Sequence, residues 1–492
     1  MENNASGKLS PWMKPFHYLG RNWLTLAGAV LTTSCAITLV GFWFREAMQN
    51  KPVNPYAGMV VYLMLPGVFV AGLLLIPAGL LWDRYQLKKK GVHPDLVPTP
   101  DFKSPMFLRA AGLIAFATLV NVAILGAASV QGVEYLDSAQ FCGQTCHTVM
   151  NPEHTAYLES PHSRVSCVEC HIGPGASWFV QSKLSGVRQV FAVALNTYSR
   201  PIPSPVEQLR PARETCEQCH WPQKFHGDKF VVKQKYSEDE ANTLLTTVLV
   251  MKVGGRSGGE FKGIHGRHLG LAAPISYIST DGRRQVIPRV FLSDGKGGKV
   301  EYVAETKAPA TKADTKPAEG AKKEELRTMD CVDCHNRPTH KFWLPERAVD
   351  SAMTSGLISP KIPFVKKKAV EALKAAKGPQ AQAAAQIAAA LTDYYQKTYP
   401  DLVQKEKPLL DAAVKETQAI YARNVDDHMR ITWGTHPENI GHEDFPGCFR
   451  CHDDSHKSST GKVITQDCDK CHTILATEEA NPKILKDLGI GG

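Results

Sequence analysis

Asn22–Phe44 is apolar and almost uncharged, Met59–Trp82 repeats the pattern, and Phe107–Val130 forms a third run interrupted only by Arg109 and Asn121. A helix crosses the hydrocarbon core of a bilayer in roughly 20 residues, so the pattern predicts transmembrane helices at 22–44, 59–82 and 107–130. A cleaved signal peptide is the alternative for the first run, but that run is long and no small-residue cleavage site follows it. Beyond residue 131 the long runs stop. Ser177–Leu195 has apolar residues at helical spacing with Lys183 and Arg188 opposite, which predicts an amphipathic helix. Phe230–Lys233, Leu244–Val253, Ile275–Ser279, Gln285–Leu292 and Lys299–Val303 read as strands between Gly-rich turns. Residues 307–325 are low-complexity, rich in Ala, Lys and Pro, and predict a solvated linker. Pro363–Asn424 returns to helical periodicity, broken at Gly378-Pro379 and at Pro400, and predicts two or three helices.

Charge orients the spans. Lys8, Lys14 and Arg21 precede the first, and Arg84, Lys88, Lys89, Lys90 and Lys103 follow the second, whereas the first connection holds only Arg45 and Lys51. Positive residues mark the cytoplasmic side, so the N-terminus is inside and everything after about Gln131 is extracytoplasmic. Much of the formal net charge of +9 is thereby a topological signal and gives no reason to expect nucleic-acid binding.

Twelve of the thirteen cysteines form six pairs, each followed at once by a histidine. Five are C-x-x-C-H: Cys167/Cys170–His171, Cys216/Cys219–His220, Cys331/Cys334–His335, Cys448/Cys451–His452 and Cys468/Cys471–His472. The sixth, Cys142/Cys146–His147, has three residues between its cysteines. C-x-x-C-H is the c-type haem attachment signature: two thiols bond the porphyrin and the next histidine ligates the iron. Structural zinc also uses paired cysteines, but it does not require a histidine directly after every pair. Cys35, in an apolar run, reads as a small hydrophobe. Six haems supply apolar faces in place of a conventional core, and the helix at 177–195 is suited either to such a face or to the membrane surface.

Six irons want six further axial ligands, and histidine holds iron at lower potential than methionine does. Ten extracytoplasmic histidines lie outside the motifs. His162, His226, His340 and His456 stand close to motifs, and His436 and His442 precede the fifth. These six are the leading candidates; His154, His265, His268 and His428 are weaker ones.

The run ending near Val130, then FCGQTCHTVM (141–150) and SPHSRVSCVECH (160–171), resembles the NapC/NirT/NrfH family of membrane-anchored quinol dehydrogenases. The resemblance covers roughly residues 108–226. It implies a first haem next to the membrane with a methionine ligand, for which Met150 matches, leaving His147 and Met150 as alternatives. It also implies a lysine and an acidic residue near the quinol. Lys183 matches the lysine loosely, no acid matches after the second motif, and Glu134 and Asp137 are the substitutes. The larger plan is similar to the ImcH-type inner-membrane cytochromes, though six motifs are present here and that type implies a seventh haem.

The fold expected is a membrane-anchored multihaem cytochrome: three N-terminal transmembrane helices, then a mainly α and irregular haem-packed domain with a small β insertion. Its parts are an anchor (1–131), haems 1–3 (132–228), the β insertion (229–306), the linker (307–325) and a helical C-terminal part with haems 4–6 (326–492). The function implied is menaquinol oxidation at the inner membrane, with electrons passed to periplasmic cytochromes or to a reductase subunit. The rivals are a terminal reductase of nitrite, hydroxylamine or a sulfur compound, which requires an open iron, and a relay subunit of such a reductase.

Overall fold

The computed structural model describes residues 22–49, 55–91, 105–145, 147–206, 209–221, 225, 227–257, 260–269, 274–293, 297–305 and 326–490. The expected linker, Cys146 and His226 lie outside these residues. The chain divides into two compact units, Met1–His147 and Thr148–Gly492.

The first unit contains α1 (Trp23–Gln49), α2 (Pro55–Met59), a π turn (Val60–Met64), α3 (Leu65–Lys89) and α4 (Pro105–Asp137). Three helical stretches, Trp23–Met48, Ala57–Gln86 and Ala111–Asp137, are long and apolar enough to cross a membrane. In hydrocarbon, helices associate through small residues that allow close approach. That rule operates here: a Cβ on Gly28 would stand 2.8 Å from the Gly72 carbonyl oxygen, and Asn22 Nδ2 donates to the Gly79 carbonyl at 2.8 Å. A second π turn (Phe141–Thr145) carries Cys142.

In the second unit, α5 (His147–Leu158), α6 (Cys167–His171), α7 (Ala176–Ala194) and α8 (Ala212–Cys216) precede the strands. Ten short strands follow among the described residues, beginning with β1 (Lys229–Tyr236), β2 (Leu244–Met251), β3 (Gly255–Ser257) and β4 (Glu260–Lys262). After α9 (Gly263–His268) come β5 (Ile275–Ile278), β6 (Arg289–Ser293), β7 (Lys299–Ala304) and β8 (Leu326–Thr328). β6 starts later than the alternation suggested, because Asp281 Oδ1 accepts from the amides of Gln285 and Val286 and holds that segment in a turn.

The sheets do not close within the insertion. β9 (His456–Ser458) pairs with β7, and β10 (His472–Glu479) pairs with β2, so the segments bearing the last two motifs complete both larger sheets. Between α10 (Cys331–Cys334) and β9 lie α11 (Pro345–Thr354), α12 (Val365–Ala375), α13 (Gln380–Thr398), α14 (Pro400–Lys405) and α15 (Lys407–Asn424). The breaks at Gly378-Pro379 and Pro400 stand where the sequence places them. This helical block holds the main apolar core, including Val349, Ile358, Leu373, Ile387, Leu391 and Ile420. A short helix, α16 (Lys483–Asp487), ends the described chain.

Candidate haem-ligating sites

Each C-x-x-C-H motif closes into one turn. The amides of His220, His335 and His452 donate to the carbonyls of Cys216, Cys331 and Cys448 at 2.8, 2.8 and 3.1 Å. This turn brings two thiols and one imidazole of the motif together within five residues.

Every motif histidine from the second motif onward meets one non-motif histidine. His171 faces His340 with ring centres 6.3 Å apart, and His220 faces His162 at 6.0 Å. His335 faces His265 at 6.3 Å, His452 faces His268 at 5.9 Å, and His472 faces His442 at 6.2 Å. Two metal–nitrogen bonds of about 2 Å in line, plus the two distances from nitrogen to ring centre, sum to roughly 6 Å. The pairs therefore have the spacing of two imidazoles on opposite sides of one iron. Among the described residues no three His, Cys, Asp or Glu side chains gather as a metal-ion cluster; the histidines meet in twos.

Backbone carbonyls set the tautomer in several pairs. Nδ1 of His340 donates to the Glu153 carbonyl (2.9 Å), His268 to Ile264 (2.8 Å) and His452 to Thr465 (2.8 Å). A carbonyl only accepts, so Nδ1 carries the proton and Nε2 keeps a free lone pair, the arrangement metal-ligating histidines use. Burial also pushes His171, His265, His268, His335, His340 and His472 below the ordinary imidazole range, favouring the neutral ligand form.

The remaining described candidates have other neighbours. His456 is committed at both nitrogens, Nδ1 to Asp453 Oδ1 and Nε2 to the Ile287 carbonyl, each at 2.8 Å. His436 is buried beside Phe342, and burial together with Arg337 and Arg283 pushes it down to about 3. His154 stacks on Tyr157, and His428 contacts Tyr198 Oη at 3.0 Å. His147 and Met150 lie on α5. Lys183 lies on α7 with its Nζ 4.8 Å from the Phe179 ring centre, and Glu134 and Asp137 lie in the last turn of α4.

His265 and His268, which nothing local to a motif singled out, sit three residues apart on α9 and face two different motifs. Gly263, at φ +67°, admits this turn: a Cβ there would stand 2.6 Å from the Lys252 carbonyl oxygen. The one available signal was the pair of histidines one helical turn apart in GIHGRH.

From the second motif to the sixth, each motif lies within electrostatic range of the next. Cys170 is within that range of Cys216 and Cys219, and Cys216 of Cys331. Cys334 interacts with Cys448, Cys451 with Cys334, and Cys471 with Cys448. The fourth and fifth are also clasped by polar groups. Arg450, inside the fifth motif, donates to the carbonyls of Asp333 and Arg284 at 2.7 Å. The carboxylate of Asp333, inside the fourth, is 2 % exposed and accepts from Tyr277 Oη and Arg327 Nε at 2.7 Å and from Arg284 at 3.2 Å.

The pattern of the NapC/NirT cytochrome c family, N-terminal region, matches residues 105–202. The cytochrome c-type protein ImcH of Geobacter sulfurreducens is 40% identical over 473 residues, which is 95% of this chain and 91% of the relative. The cytochrome c-type protein NrfH of Wolinella succinogenes is 29% identical over 117 residues, 23% of this chain and 66% of that protein. No solved structure matches. Three membrane-length helices, a turn-forming haem signature and likeness to ImcH along nearly the whole chain lead to one conclusion: it belongs to the NapC/NirT family of membrane-anchored multihaem c-type cytochromes.

Proposed function

We propose that the protein is an inner-membrane menaquinol dehydrogenase, its N-terminus cytoplasmic, that passes electrons through six c-type haems to periplasmic carriers. The observation that carries this reading is the set of five histidine pairs, each joining a motif histidine to one from outside the motifs at the spacing of two imidazole ligands. Haem iron takes and gives one electron at a time, which suits it to splitting the two-electron oxidation of a quinol.

The chain's own groups do the rest. Twelve cysteines would anchor the porphyrins. His171 and His340 would hold the second iron, His220 and His162 the third, His335 and His265 the fourth, His452 and His268 the fifth, and His472 and His442 the sixth. His147 or Met150 serves the first. Two imidazoles from the chain would hold each of these irons, which would supply one-electron transfer. A terminal reductase requires an open coordination position, and motifs two to six each meet a second histidine instead.

Anaerobic mixing of the pure protein with menadiol tests the reading. The haem absorption bands are expected to shift to the reduced form. A protein that dithionite reduces and menadiol leaves oxidised overturns it.

A further inference from the structure

The first unit contains an ionisable contact that the sequence reading passed over. Glu46, on α1 near the end of the first membrane-length stretch, accepts a 2.5 Å hydrogen bond from Tyr62 Oη of the second. Tyr62 lies in the π turn Val60–Met64, and π turns are rare and concentrate at functional sites. Its ring meets Tyr135 of α4 at 5.2 Å. Tyr135 in turn meets Phe141 at 5.3 Å, and its hydroxyl is 3.2 Å from Thr145 Oγ1. Phe141 and Thr145 are the two ends of the π turn that carries Cys142 of the first haem motif. Glycines permit the approach: a Cβ on Gly58 would stand 2.6 Å from the Tyr135 ring, and one on Gly132 would stand 3.1 Å from the Tyr62 carbonyl oxygen.

All three spans thus bring a carboxylate, two phenols and an aromatic wall to the first motif. One turn away on each side, Trp43 Nε1 and Gln131 Oε1 are buried without a hydrogen-bond partner among the described residues. An ionisable side chain in a span is costly and marks function by default. A clasp between helices needs only neutral partners, whereas a carboxylate adds a base. Glu46 and Tyr62 also lie outside residues 105–202, the part matched by the family pattern.

We propose that Glu46, acting with Tyr62, is the proton acceptor for a hydroquinone bound against Tyr135 and Phe141, an assignment that rests on the quinol-oxidising reading above. Oxidation of hydroquinone to quinone breaks two O–H bonds, makes two C=O bonds and releases two protons and two electrons. The electrons leave one at a time, and ferric c-type haem bound at the first motif would be the oxidant that takes them. One proton passes through the Tyr62 hydroxyl to the Glu46 carboxylate, and the second follows once Glu46 has released the first to water at the membrane edge. The catalytic residue on this account is Glu46; Tyr62 relays.

The full-length haem-loaded protein and its Glu46→Gln, Glu46→Asp and Tyr62→Phe variants test the assignment by stopped-flow reduction with menadiol. Dithionite reduction counts the haems. Quenching of tryptophan fluorescence by the quinol analogue 2-heptyl-4-hydroxyquinoline N-oxide reads binding without turnover. Glu46→Gln is expected to slow menadiol reduction on the order of 10²-fold, to flatten the pH–rate profile and to leave the dithionite-reducible haem unchanged. Glu46→Asp restores most of the rate, and both Glu46→Gln and Tyr62→Phe weaken analogue quenching. Wild-type rates and pH profile in Glu46→Gln overturn the assignment, as does an Asp variant as slow as the Gln variant. If Glu46→Gln fails to assemble, Tyr62→Phe decides: slowed reduction at normal haem content supports the relay, and an unchanged rate overturns it. Failure of the wild-type protein to react with menadiol removes the functional reading and this assignment together, which is distinct from a variant that behaves as wild type.

Discussion

Helices α7 and α13 are each 19 residues long and both amphipathic, yet they meet opposite fates. α13 buries Ala383, Ile387, Leu391 and Tyr395 against neighbouring helices of its own block. α7 buries none of its side chains; Leu184 is 69 % exposed and Phe191 61 %. An amphipathic pattern thus announces that a helix has an apolar partner without saying what kind. In the helical block the partner is more of the same chain. In the section that carries the second and third motifs, apolar side chains are arranged for something other than one another, and its one buried cluster joins Val149 to Met429 and Ile431 of a much later segment. Haem faces and the bilayer are the two candidates, and both belong to a membrane cytochrome.

The largest effect that would break this contrast concerns protein made without haem attachment. Limited proteolysis followed by mass spectrometry is expected to cut 148–221 rapidly while a fragment spanning 345–425 persists. Equal survival of both regions would mean that the motif-bearing section has a sufficient core of its own.

A smaller but sharper test sits at Asp333, a motif residue held by polar contacts and not by apolar packing. Its replacement by alanine leaves Arg284 and Arg327 facing each other across an uncharged gap. Removing one partner of a buried ion pair costs about 3–5 kcal/mol. Denaturant unfolding followed by haem absorption is expected to show that loss, while the helical far-ultraviolet signal of the block responds less.

The smallest effect belongs to the helical block. Burial pushes the Glu346 carboxyl up, but Lys374 and Lys366 outweigh it and hold it below the ordinary range. A carboxyl lowered in the folded state contributes stability above its unfolded pKa, and that contribution is lost as pH falls through the folded pKa. Glu346 is substantially exposed, so Glu346→Gln is expected to cost less than about 1 kcal/mol at neutral pH. The difference from wild type should vanish in acid titrations monitored by circular dichroism.

The motif half of the candidate site was legible because C-x-x-C-H is local: two thiols and a ligand lie within five residues, and one turn joins them. The partner histidines were only partly legible. His162 and His340 stand near motifs, but each faces a different motif from its sequence neighbour. His456, closest of all to the fifth motif, spends both nitrogens on Asp453 and Ile287, while His268 comes from a distant segment to face His452. The same limit applies to the sheets. Alternation marks β1, β2, β5 and β7, but the pairing of β10 with β2 joins strands from opposite ends of the domain, and no short-range pattern encodes that. The contact of Glu46 with Tyr62 was not legible, because the two residues lie in successive apolar stretches and no local spacing joins them.

The pairing of the last strands bears on how this domain is made. Until β9 and β10 arrive, β7 and β2 each keep an open edge. A chain cut before residue 456 therefore leaves both larger sheets with unpaired backbone, the kind of surface on which extended chains join one another.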